Sequence, residues 1–127
     1  MRRALALLLV LAWPSLAWAD SWKYCGELAT GGHMVPAETS INRDAKGELT
    51  GAYSFTDNGQ LYEGRLAKAQ LMGSGAWRFT WTDTFGSGAL DLTFNADASA
   101  FDGLWGVNQD MPRLAWRGHI CIEVPAS

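Results

Sequence analysis

Four segments of this chain share the pattern apolar-x-Gly-x-apolar: Leu49-Thr-Gly51-Ala-Tyr53, Tyr62-Glu-Gly64-Arg-Leu66, Phe101-Asp-Gly103-Leu-Trp105 and Trp116-Arg-Gly118-His-Ile120. Side chains of a β-strand alternate between faces, so each copy places a glycine on the same face as two large apolar groups. A glycine inside a strand marks a bend or the close approach of a neighbour. Strands that bend this strongly, with polar residues between the apolar ones, predict a small coiled β-barrel. The pattern constrains architecture more than activity, and no catalytic or metal motif accompanies it.

Turn chemistry cuts the chain at short intervals, at Gly31-Gly32, Asp44 to Gly47, Asp57-Asn58-Gly59, Gly73 to Gly75, Gly86 to Gly88, Asn95 to Asp97 and Asn108 to Pro112. Short runs rich in aromatic and branched residues lie between them, which is the signature of an antiparallel meander. Eight strands are expected, near Trp22–Leu28, Thr39–Arg43, Glu48–Thr56, Gln60–Ala67, Ala76–Thr82, Ala89–Phe94, Ala100–Val107 and Arg113–Glu123. Ala29 to Glu38, with Pro36 and paired glycines, suits a loop as well as a strand. Ala67 to Met72 suits at most one helical turn, too short to count as a helix.

Parity along these strands divides the residues by chemistry. One face carries Trp22, Tyr24, Leu49, Tyr53, Phe55, Tyr62, Leu66, Trp77, Phe79, Trp81, Leu90, Leu92, Phe94, Phe101, Trp105, Leu114, Trp116, Ile120 and Ile122. The other carries Lys23, Glu27, Glu48, Glu63, Arg65, Arg78, Asp91, Asp102, Arg113, Arg117, His119 and Glu123, and only Phe85 among the later aromatics lies in a turn. A sheet dry on one side and wet on the other is a closed up-and-down barrel or a two-sheet sandwich. Cys25 and Cys121 both fall on the polar face of the first and last strands, so a bond between them requires those strands to be neighbours. In a meander that happens only if the sheet closes, which selects the barrel.

Residues 1–19 read as a signal sequence: Arg2-Arg3, an apolar core from Ala4 to Ala12, and Ala17-Trp18-Ala19 as the cleavage site. The expected product is one barrel domain, 20–127, in the periplasm or secreted. The apolar core falls short of the roughly 20 residues that span a bilayer, so no membrane insertion is expected. Loss of Arg2 and Arg3 leaves 8 Lys plus Arg against 13 Asp plus Glu, a net charge of −5, which disfavours a nucleic-acid partner. An oxidising compartment favours pairing Cys25 with Cys121.

Catalysis needs positioned acids, bases or nucleophiles in a cleft, and the parity assignment sends the charged strand residues outward. His33 and His119, the only histidines, have no coordinating cluster around them, and exposed roles are expected for both. Asp102 and Arg117 suit a cross-strand ion pair on the outer face. Asp83, Thr84 and Ser87 stand together in a turn without a nucleophile-base pattern. No cofactor, metal or enzymatic activity is therefore expected. The aromatic inner face has two readings: rings that fill an eight-stranded interior, or rings beside glycines that leave an apolar pocket near a mouth.

The succession Leu49-Thr-Gly-Ala-Tyr53, Gly64-Arg65, Trp77-x-x-x-Trp81 and Phe101-Asp-Gly-Leu-Trp105 resembles the avidin family of biotin-binding barrels, over roughly Glu48 to Trp116. The resemblance implies Tyr53 as a hydrogen-bonding ligand residue, with Trp81, Phe101 and Trp116 around the ligand. The chain departs from that family in lacking its Asn-x-x-x-Ser loop after the first strand, in having Phe55 where the family has a serine, and in the added segment Ala89–Phe94. It also resembles secreted bacterial lipocalin-like domains that alternate Gly-x-Trp or Gly-x-Tyr strands with glycine-rich turns, a likeness that brings no activity. Together these readings predict a non-catalytic binding or interaction module. Its candidate ligand residues are Tyr53, Trp77, Trp81, Phe101, Trp105 and Trp116, and its ligand is small and apolar or aromatic. The alternatives are a protein partner engaged through the loops, as an inhibitor or accessory subunit, and avidin-like biotin binding.

Overall fold

The structure, a computed structural model, describes residues 20–121. The expected leader 1–19, its expected cleavage site and the expected strand residues Ile122 and Glu123 lie outside the described residues. The strands are β1 (Asp20–Thr30), β2 (His33–Arg43), β3 (Leu49–Asp57), β4 (Gln60–Gly73), β5 (Ala76–Asp83), β6 (Gly86–Phe94), β7 (Ala100–Trp105) and β8 (Leu114–Ile120). Each pairs antiparallel with the next, and β1 pairs with β8 from Tyr24↔Ile120 to Leu28↔Trp116, which closes the barrel. Cys25 and Cys121 are disulfide-bonded with their Cα atoms 5.1 Å apart, diagonally across that closing seam.

The interior follows the alternation of the strands. Tyr24, Ile41, Leu66, Phe79, Leu90 and Leu92 are fully buried, with Tyr53, Phe55, Trp81, Phe101 and Trp116 packed among them. The space beside each inward glycine belongs to a neighbour. A Cβ on Gly64 would overlap the Tyr53 ring, and one on Gly118 would stand 3.0 Å from both the Phe101 ring and Tyr24 Cβ. One on Gly103 would come within 2.6 Å of Leu92 Cδ2, and one on Gly51 within 3.2 Å of Leu66 Cδ1. These glycines make room for core side chains and, at Gly51 and Gly103, also for backbone carbonyls of the neighbouring strands, so none of the four leaves a hole beside it.

The structure extends and corrects the expected strands. The uncertain segment Ala29 to Glu38 is a β-hairpin turning at Gly31-Gly32, with Val35 and Ala37 buried. Pro36 stands one residue outside the β2–β3 register, which begins at Ala37↔Phe55, a position where a missing N–H is tolerated. Ala67 to Met72 continues β4 in place of a helical turn. The strand shifts register between Ala67 and Gln70, with Lys68 in the left-handed region at φ 55°, a bulge that bends β4 and carries it past the start of β3. Leu114, expected inside, is exposed at a barrel rim.

The larger correction concerns charge. Alternation puts Arg43, inside the expected second strand and expected outward, on the inner-face phase with Asp20 at one end of the barrel. At the other end it does the same for His33, Asp57 and Asp83. The flanks of the barrel are polar outward, as expected, but the two rims carry inward-phase charges. On the outer face Arg117 is paired with Glu27 at 3.3 Å and not with Asp102, although Asp102 is its partner in the β7–β8 register. Arg78 and Asp91 instead make the two-pronged outer pair, at 2.6 and 2.8 Å.

Candidate functional site at the barrel mouth

The six residues singled out in the sequence do not line one pocket. Tyr53, Trp81, Phe101 and Trp116 are buried, and Trp77 and Trp105 are half-buried. Tyr53 meets Trp116 edge-on at 4.7 Å, and Trp81 meets Trp105 at 5.3 Å with the rings perpendicular. Phe101 packs against Tyr24 at 5.1 Å. Except for Trp77, the polar side-chain atoms of these residues are engaged within the protein. Trp116 Nε1 donates to Thr39 Oγ1, Trp81 Nε1 to Gly106 O and Trp105 Nε1 to Ala29 O, at 2.9 to 3.0 Å. Four of the six are core, Trp105 packs half-buried against them, and Trp77 borders the barrel mouth.

Tyr53, the residue that the avidin resemblance would give to a ligand, donates its hydroxyl to Asp83 Oδ2 at 2.6 Å. Burial, followed by the Asp83 carboxylate as acceptor and as charge, pushes the phenol well above its ordinary range. Asp83 Oδ1 accepts the Phe85 N–H, so both carboxylate oxygens have partners. In the sequence Asp83 falls in an expected turn. Its signal was the spacing Trp77, Phe79, Trp81, Asp83, in which the inward phase runs one residue beyond the expected strand end. At the same rim the His33 ring nitrogens lie 3.2 Å from Gly31 O and 3.0 Å from Asp57 Oδ1. Both partners are acceptors, so they favour the imidazolium, and the Asp57 hydrogen bond chiefly holds the His33 pKa above its ordinary value.

The opposite end is open. There a cavity of about 390 Å³ is bounded by aromatic side chains of three strands, Trp22 and Tyr24 from β1, Trp77 from β5 and Phe94 from β6, with Ile41, Leu49 and the 95–98 turn completing it. Its volume falls within the range of small-molecule sites. Tyr24 donates to Ala98 O at 2.7 Å, and Asn95 is committed to Ser99 and to the Ala100 N–H, so these two polar side chains are occupied in holding the turn. The indole N–H groups of Trp22 and Trp77, in contrast, have no protein acceptor among the described residues. Arg43 is the one charged residue of the lining, set 5.5 Å over the Trp22 ring and paired with Asp20.

A larger depression, of about 700 Å³, lies on the outer wall across β6, β7, β8 and β1, with Glu27, Asp102, Arg117 and His119 around it. Its rings are the exposed His119 imidazole and the half-buried Phe94, with Phe101 beneath it buried, and its outer side chains carry charges of both signs. The mouth has the aromatic walls and the unpaired donors. Trp22 and Phe94 are legible as inward residues, and Arg43 as the next in phase after Thr39 and Ile41. That they stand together at the opening depends on how the strands stagger around the barrel.

Compared with protein-family models, with curated proteins and with solved structures, the chain gives no match in any of the three.

Proposed function

We propose that this protein is an exported, non-catalytic binding module that takes a small, flat, apolar ligand at the barrel mouth, against Trp22, Trp77 and Phe94. The observation that carries this reading is the contrast between the two classes of tryptophan. Trp81, Trp105 and Trp116 spend their N–H groups inside the protein, whereas Trp22 and Trp77 border a cavity with theirs unpaired among the described residues. Indole faces supply apolar contact area and their N–H groups supply direction. The disulfide fits an oxidising, extracellular compartment, in keeping with removal of residues 1–19 near Ala19 and release to the periplasm or beyond.

Titration with a panel of aromatic, apolar and sugar ligands, read by tryptophan fluorescence and by calorimetry, tests the reading. At least one flat apolar compound is expected to bind, and Trp77→Ala to abolish its binding while the barrel stays folded. No response from any member of the panel would sink the proposal. Biotin belongs in the panel as the ligand that the avidin resemblance implies. Binding of biotin weakened by Tyr53→Phe and untouched by Trp77→Ala would move the site from the mouth to the interior.

A second reading, a protein partner held by the loops, draws support from the opposite end of the barrel. Leu61, Phe85 and Met111 are all exposed there, and Phe85 rests on Tyr62 with ring centres 4.9 Å apart. A partner engaged through this end is lost on Phe85→Ser and kept on Trp77→Ala, which separates the two readings.

A further inference from the structure

We infer that the ligand of the mouth carries a carboxylate or another compact anionic group, held by Arg43; this rests on the mouth being the binding site. The donors and acceptors of the opening are unbalanced. The Tyr24 O–H and one Asn95 N–H are spent on the 95–99 segment, which leaves donors in excess among the lining side chains: the Trp22 and Trp77 indoles, the Arg43 guanidinium and the second Asn95 N–H, against the Tyr24 and Asn95 oxygens as acceptors. A wall made of donors favours a ligand rich in acceptors, and a guanidinium favours a planar anion with two oxygens.

Arg43 is held in place before any ligand arrives. It lies over the Trp22 ring, and it closes β2 opposite Asp20 in the β1–β2 register. Asp20 engages Nη2 alone, which leaves the other N–H groups of the fork free to meet a second carboxylate. The acidic residues of the neighbouring 44–48 turn do not border the cavity, and Asp44 Oδ1 is bound by the N–H groups of Lys46 and Glu48. Asp20 is therefore the carboxylate with which a ligand anion competes. Side chains from β1 and β2 set the charge, and rings from β1, β5 and β6 set the apolar slot.

Two probes of one skeleton, 2-naphthoate and 2-naphthamide, test the inference on the full mature chain by calorimetry and tryptophan quenching. The acid is expected to bind about tenfold more tightly than the amide, as befits a charge-assisted pair at a half-exposed site. Arg43→Gln should remove that preference, bringing the acid to the affinity of the amide, and Arg43→Lys should keep part of it. Asp20→Asn should act in the opposite sense, strengthening naphthoate binding and leaving naphthamide unchanged, a result that loss of structure would not produce. Equal affinity for the two probes, or a preference that survives Arg43→Gln, overturns the inference while the mouth remains a binding site. Failure of both probes to bind counts against the mouth itself.

Discussion

The hydroxyl of Tyr53, on β3, meets Asp83 Oδ2, at the end of β5, across 2.6 Å, and the Tyr53 ring occupies the space left by Gly64 on the strand between them. One side chain thus joins three consecutive strands. Its ring is held where Gly64 has no Cβ, and its oxygen reaches a carboxylate that strand alternation carries to the rim.

Tyr53→Phe removes the donor and leaves Asp83 with one partner fewer, so a loss of about 2 kcal/mol is expected in urea unfolding. The phenol has a folded pKa above its unfolded value of about 10, so its contribution is fully present below that pH. Above it the unfolded chain ionises while the folded chain does not, and stability falls as pH rises. Phenolate absorbance during alkaline titration should show the Tyr53 hydroxyl titrating only with unfolding, and Tyr53→Phe should flatten the decline in stability above about pH 10.

Gly64→Ala should cost about 1–3 kcal/mol, because the added methyl must displace the Tyr53 ring from a filled interior. Gly73→Ala is the contrast, since its nearest atom would be Ala76 Cβ at 3.9 Å. That substitution is expected to be neutral or to stabilise by about 0.4–1 kcal/mol through the unfolded chain. Urea midpoints of the two variants make the comparison.

Removing the disulfide by Cys25→Ala with Cys121→Ala opens a sequence separation of 96 residues. The chain-entropy account predicts a loss of about 4–5 kcal/mol. The same shift in the unfolding midpoint should appear when the wild-type chain is reduced, and the reductant should have no effect on the double variant.

Trp116→Ala and Trp77→Ala should separate core from site. The first empties a buried position and loses the Thr39 hydrogen bond, at a cost of about 3–5 kcal/mol. The second truncates a half-buried ring at the opening, at about 1–2 kcal/mol, and should lose ligand response out of proportion to that cost. Thermal unfolding together with titration of 2-naphthoate reads both.

Much of the barrel was legible because strand parity acts locally. The alternation of Trp77, Phe79 and Trp81 against Arg78 and Thr80 is visible residue by residue, and it places the inner and outer faces without reference to any other strand. Legibility ended where a residue's neighbours lie far off in the chain. Pro36 argued for a loop until the β2–β3 register left its position beyond the last pair. Lys68 gave no warning of a bulge, because its left-handed backbone answers to the curvature of the sheet and not to its own side chain. Arg117 read as the partner of Asp102, but the structure turns it toward Glu27 on the strand that closes the barrel.

The sequence by itself determined the all-β meander, the dry inner face and, through the placement of Cys25 and Cys121, the closure of the sheet. These follow from alternation and from the pairing chemistry of two cysteines, both of which act over a single strand or a single bond. The tertiary structure decided what the glycine motifs are for and where the chain is open. Whether Gly64 leaves a hole or a seat for Tyr53 depends on a ring from the neighbouring strand, and whether Arg43 faces a cavity depends on the stagger of eight strands around one axis. Side-chain volume and strand stagger are properties of the closed barrel as a whole, and no window of sequence contains them.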